Sequence, residues 1–161
     1  MNMYLVAPEA KIYAYVRLYR VAPKGCSPRD SLANIVACTH EPLAAGLGLE
    51  IGVSVVSCGM SHWMPDVCPR CKAIEQSAKD RVAVADAVAK RHKLTTWRNS
   101  RHSLYRSAYL HICRSGATKG DIRLARIARK SAVEMFRKRG YTVHMTNDDG
   151  GTEELEPRSI S

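Results

Sequence analysis

Residues 68–88 read CPRCKAIEQSAKDRVAVADAV, and two kinds of sequence pattern meet in them. From Pro69 onward Ile74, Ala78, Val82, Ala85 and Val88 recur at three- and four-residue spacing, the period of an amphipathic helix. The pattern continues downstream. A second helix is expected to open at Thr95 or Thr96 and to end at Gly116, with Trp97, Leu104, Tyr105, Ala108 and Ile112 as its apolar stripe. A third is announced by Thr118-Lys119-Gly120-Asp121, a capping box, and stops at Gly140. Its core face is Leu124, Ala128, Ala132, Met135 and Phe136. Tyr141–Thr146 reads as a final strand, and Asn147 onward has the composition of an acidic, disordered tail.

Upstream of Cys68 the pattern is that of strands. In Lys11–Val21 the aliphatic Ile12, Ala14, Val16 and Leu18 alternate with Tyr13, Tyr15, Arg17 and Tyr19. One face of that strand packs on a core. The other presents tyrosines beside a base, which suits cross-strand pairing or a stacking platform for unpaired bases. Met3–Val6 and Val53–Ser57 read as short strands and residues 42–52, rich in Gly and Leu, as a loop. Pro23–Pro28 is a turn, and Ser27-Pro28-Arg29-Asp30 is expected to open a short helix through Ala37, with a strand opening at Ile35 and Val36 as the alternative.

The expected fold is therefore α+β. Residues 1–71 form a small β-containing zinc-knuckle half, 72–146 a basic three-helix half with a final strand, and 147–161 a disordered acidic tail. At 161 residues and 45% hydrophobic content the chain can bury an ordinary core. No apolar run of about 18 residues exists to span a membrane. No basic stretch followed by an apolar one opens the chain, so a cytoplasmic protein is expected.

The formal charge of +10 is unevenly spread. Residues 1–68 are neutral overall, 69–139 carry nineteen bases and five acids, and 140–161 carry one base and five acids. A segment of net +14 attracts a polyanion. On the third helix Lys119, Arg123, Arg126, Lys130 and Arg137 share one face. On the second Arg98, Arg101 and Arg106 do the same, beside His102. Arginine's planar fork matches phosphate and guanine edges. The acidic tail is placed either to solubilise the chain or to compete with phosphate for these bases.

Six cysteines cluster rather than spread. Cys68-Pro69-Arg70-Cys71 resembles a zinc knuckle, and Cys58-Gly59 and Cys38-Thr39-His40 lie upstream. One tetrahedral structural Zn2+ needs four N or S ligands. The best set is His40, Cys58, Cys68 and Cys71, with Cys38 and His62 as alternates. Over residues 38–75 this order is like the treble-clef and zinc-ribbon class. Catalysis is not expected: the chain has no Gly-rich phosphate loop, no G-x-S-x-G and no H-E-x-x-H.

These features point first to a zinc-stabilised protein that binds DNA or RNA, such as a transcription regulator. A second reading is a basic interaction module, of the kind a phage or plasmid effector uses to dock on an acidic surface of RNA polymerase, a ribosome or a nucleic-acid enzyme. A zinc-dependent nuclease is the third.

Overall fold

A computed structural model describes residues 12–20, 47–55, 64–97, 107–113, 118–148 and 150–158. Strand β1 (Ile12–Arg20) falls where the tyrosine alternation places it. It pairs antiparallel with β2 (Leu47–Val55) over nine residues, from Ile12 opposite Val55 to Arg20 opposite Leu47. Helix α1 (Pro69–His92) follows, then β3 (Thr95–Trp97) and β4 (Ala108–Cys113). Helix α2 (Lys119–Lys138) leads to β5 (Thr142–Thr146) and β6 (Thr152–Leu155). One sheet results, in the order β3-β4-β2-β1-β5-β6. Strand β5 runs parallel to β1, and the other neighbouring pairs are antiparallel. Strands β4 and β5 therefore point the same way, and α2 crosses over β2 and β1 to join them.

Both helices cover the same face of the sheet. Leu47, Leu49, Ile51 and Val53 of β2 meet Ala14, Val16 and Leu18 of β1, Ala108 and Leu110 of β4, and Val143 of β5. Val84, Ala85 and Val88 of α1 and Ala125, Ala128, Ala132, Val133 and Phe136 of α2 close the core from above. The small alanines let α2 lie close to the strands, and Phe136 fills the space left at its C-terminal end. The helices run antiparallel to each other. Asp80 bonds Arg139 at one end of the contact (2.9 Å), and His92 Nε2 lies 2.9 Å from Ser131 Oγ at the other.

The helix ends follow local rules. In α2 Thr118 Oγ1 accepts from the Asp121 amide at 3.1 Å, and Asp121 Oδ2 accepts from the Thr118 amide at 3.0 Å, so the capping box is closed. At its far end Gly140 takes a φ of +92°, and the Gly140 and Tyr141 amides return to the Arg137 and Phe136 carbonyls.

Four expectations are corrected. First, the sequence predicts three helices, and the described residues form two. The expected second helix, Thr95 to Gly116, is replaced at its described ends by β3 and β4. Ala108, Leu110 and Ile112 face the core in alternation with Tyr109 and His111, until a register shift brings Cys113 onto the core side opposite Leu47. A stripe at helical spacing and a period of two share Ala108 and Ile112, and pairing with β2 selects the strand. Second, the loop expected at 42–52 contains most of a central strand. Gly48 and Gly52 mimic loop composition, yet they alternate with Leu47, Leu49, Ile51 and Val53. Third, the tail expected to be disordered carries β6 within its described residues, paired to β5 from Val143–Leu155 to Thr146–Thr152. Fourth, the zinc-knuckle half expected to precede the helices is not a separate unit, because β1 and β2 share their sheet with β4 and β5. The expected strand Met3–Val6 and the helix opening at Ser27 lie outside the described residues.

Gly52 has a steric role. It lies opposite Tyr15, whose ring crosses the strand above it. A Cβ at position 52 would stand 2.7 Å from Tyr15 Cε1 and closer still to the end of the ring. Gly52→Val is therefore expected to evict the phenol and to cost about 1–3 kcal/mol, the usual range for overpacking. Urea denaturation reads this directly, and an unchanged midpoint would refute the packing role.

Candidate polyanion-binding surface

The outer surface of the helical layer is built from side chains that neither core helix can bury. On α1 these include Lys72, Lys79, Lys90 and Arg91; on α2 they include Lys119, Arg123, Arg126, Lys130 and Lys138. Every exposed charged residue within the two helices is basic. The acids of the same helices are withdrawn: Glu75, Asp86, Asp121 and Glu134 are half-buried and Asp80 is buried. Their contacts explain why. Asp80 accepts from Tyr141 Oη at 2.6 Å, Arg139 at 2.9 Å and Gln76 at 3.1 Å. Burial, and then the hydrogen bond to Asp80, push the Tyr141 phenol well above the usual range, so it stays a donor. Asp121 is spent on its cap, and Glu134 accepts from Arg137 at 3.3 Å and pairs with Arg158. Asp80, Asp121 and Glu134 thus serve caps and tertiary contacts, Glu75 pairs with Lys79 at 3.4 Å, and most of the exposed bases have no acid paired with them among the described residues.

The eight basic residues singled out in the sequence divide by position. Lys119, Arg123 and Lys130 are exposed and make no ion pair among the described residues. Arg126 is exposed but bonds Asp148. Arg137 is half-buried, donating to Glu134 and to the Glu156 carbonyl at 2.6 Å. Arg98, Arg101 and Arg106 lie outside the described residues. Sequence reasoning missed the turn at the end of α1, where Lys90, Arg91 and His92 precede Lys93, whose φ of 54° ends the helix. Cations there also favour the negative end of the helix dipole.

Of the expected zinc ligands, Cys68 and Cys71 come together at the N-terminus of α1. Both are buried, and the Cys71 amide donates to Cys68 Sγ across 3.5 Å. Cys68 is the N-cap and Pro69 follows at the first helical position. An amide donor and the positive helix end both favour a thiolate there. His40, Cys58, Cys38 and His62 lie outside the described residues. Among the described residues no three His, Cys, Asp or Glu side chains converge on one point.

The tyrosine face of β1 does not form the open platform its alternation suggests. Tyr13 packs on His144 with ring centroids 5.0 Å apart, and Tyr15 lies across Gly52 to bond Ser107. Ser107 in turn donates to Glu50 Oε1 at 2.9 Å, and Tyr109 donates to the same oxygen at 3.4 Å. Glu50 is only 4% exposed, and its second oxygen makes no hydrogen bond among the described residues. Burial raises the Tyr15 phenol above its ordinary value, with the Ser107 bond opposing. Glu50 was invisible in sequence because a lone acid between two glycines reads as loop.

No described helix is long and apolar enough to cross a membrane. Comparison with protein-family models, curated proteins and solved structures finds nothing that matches this chain.

Proposed function

We propose that this protein binds a nucleic acid through the outer surface of its helical layer. The observation that carries the reading is the sorting of charge: on α1 and α2 the exposed charged residues are all bases, and of the acids Glu75 reaches the same surface in a pair with Lys79. Ordinary solvated helices mix signs, and one-signed faces concentrate polyanions. Lys119, Arg123 and Lys130 on α2, with Lys90 and Arg91 on α1, are the phosphate contacts in this reading. Phosphate contact alone supplies affinity without sequence choice.

The test is an anisotropy titration with duplex DNA, single-stranded DNA and structured RNA at about 50 and 200 mM salt, where phosphate contacts declare themselves as a steep slope. Steep, tight binding supports the reading, and the preferred form separates DNA from RNA. Absence of binding at low salt overturns it and transfers the surface to an acidic protein partner. Metal-dependent cleavage of the probe would instead favour a nuclease.

A structural zinc held by Cys68 and Cys71, with two ligands from elsewhere in the chain, accompanies this reading. The buried pair and the amide donated to Cys68 support it. Freshly purified, reduced protein should carry about one equivalent of zinc, and Cys68→Ser should lower it. Less than about half an equivalent in the native protein would sink the site.

A further inference from the structure

Asp148, like Glu134, receives one arginine on each carboxylate oxygen, but both arginines on Asp148 come from α2. Arg126 Nε donates to its Oδ2 at 2.7 Å, and Arg129 Nη1 donates to its Oδ1 at 3.0 Å. The two arginines are three residues apart on α2 and so share a face. Their environments differ. The Arg129 side chain is 11% exposed and also donates to the Thr146 carbonyl at 2.9 Å, so its guanidinium is fixed. The Arg126 side chain is 56% exposed and can turn to solvent. The loop between β5 and β6 sets the carboxylate between them. Asn147 donates to the Gly151 carbonyl at 2.7 Å, Gly150 donates back to Asn147 at 3.0 Å, and Gly150 takes a φ of +89°.

Two guanidiniums that each place one N–H on one oxygen of a shared anion match two non-bridging oxygens of a phosphodiester as well as they match a carboxylate. We propose that Arg126 and Arg129 form a phosphate subsite of the polyanion surface, and that Asp148 occupies it in the free protein as an internal competitor. The proposal rests on the nucleic-acid reading above and deepens it. Arg123 and Lys130 flank the subsite on the same helix and are exposed, so a backbone bound by them passes beside it. An incoming phosphate displaces Asp148 from Arg126 first, because that side chain is the mobile one. Arg129, held by Thr146, remains to receive it. A subsite already filled by a carboxylate weakens binding to any polyanion too poor in phosphate to compete. The device therefore raises the threshold for nonspecific association.

Asp148→Asn tests this, because it keeps the shape of the side chain and removes its charge. The nucleic acid that binds the native protein best serves as the probe, with Glu153→Gln as control. Glu153 is an exposed acid of β6 that pairs with neither Arg126 nor Arg129 among the described residues, so its loss changes the net charge equally without emptying the subsite. Asp148→Asn is expected to tighten binding about fivefold to tenfold and to steepen the log–log salt slope by about one phosphate contact. Glu153→Gln should shift affinity by about twofold at most at about 150 mM salt, where an exposed charge outside the subsite is screened. Adding Arg126→Gln to the Asp148→Asn protein should reverse the gain. Far-ultraviolet circular dichroism and an unchanged thermal midpoint confirm that each variant folds. If the native protein binds with a steep slope and Asp148→Asn matches it or equals Glu153→Gln, the subsite is refuted and the surface reading stands. If neither native protein nor variant binds, both fall. Binding by Asp148→Asn alone supports both.

Discussion

Arg123→Glu combined with Lys130→Glu is expected to lower nucleic-acid affinity on the order of 100-fold at low salt, and to flatten the salt slope by about two contacts. The two side chains lie seven residues apart on α2, two helical turns along one face. Both are exposed and neither makes an ion pair among the described residues, so the fold has no stake in their charge. Each reversal removes one released counterion and adds repulsion where the backbone would run. The effect must appear in slope as well as affinity, because a loss through misfolding would not scale with salt in this way. An unchanged slope would overturn the phosphate role of α2. Should the native protein bind no nucleic acid but retain one acidic protein after nuclease treatment, the same double variant should release that partner.

Phe136→Ala is expected to destabilise the fold by about 3–5 kcal/mol, the range for deleting a large buried aromatic. Phe136 is 0% exposed and meets Tyr141 edge-on, with ring centroids 5.5 Å apart. It sits where α2 ends and the chain turns into β5, and its carbonyl receives the Arg139 and Tyr141 amides. Around it α2 offers mostly alanine, so no neighbour can expand into the space. Against a total stability of about 5–15 kcal/mol the loss is a large fraction. Ile127→Ala is the internal comparison. Ile127 is 48% exposed on the same helix, and its loss should stay within about 0.5 kcal/mol. Equal effects from the two substitutions in urea denaturation would refute the placement of the core beneath Phe136.

The elements that sequence reading recovered have one property in common: their residues carry a local signal. Helix α2 announces itself by a capping box at Thr118 and a glycine stop at Gly140, both of which are contacts within a few residues. Strand β1 alternates without interruption. Helix α1 opens with a proline at its first position. Strands β2 and β4 failed for the converse reason. In β2 the positions facing away from the core are Gly48, Glu50 and Gly52, and Gly52 and Glu50 admit Tyr15 and meet Ser107 and Tyr109, residues distant in sequence. In β4 only pairing with β2 separates a strand from a helix. Strand β6 is acidic and exposed, with no apolar alternation to betray it, and exists because β5 offers it an edge.

The candidate surface divides in the same way. That residues 69–139 carry a large positive excess follows from composition, as does the helical spacing that places Lys119, Arg123, Arg126 and Lys130 together. Which of those bases stays available is a matter of tertiary contact. Arg137 is drawn to Glu134 and Glu156, Arg126 and Arg129 to Asp148, and Asp80 is taken by Tyr141 and Arg139. Period, cap and net charge are sums over neighbours in the chain, so the sequence by itself determined them. Strand identity at β2, β4 and β6, and the choice of which charge faces water, depend on partners far away in sequence. Only the tertiary structure, by deciding which groups share a hydrogen bond or lose their solvent, could settle those.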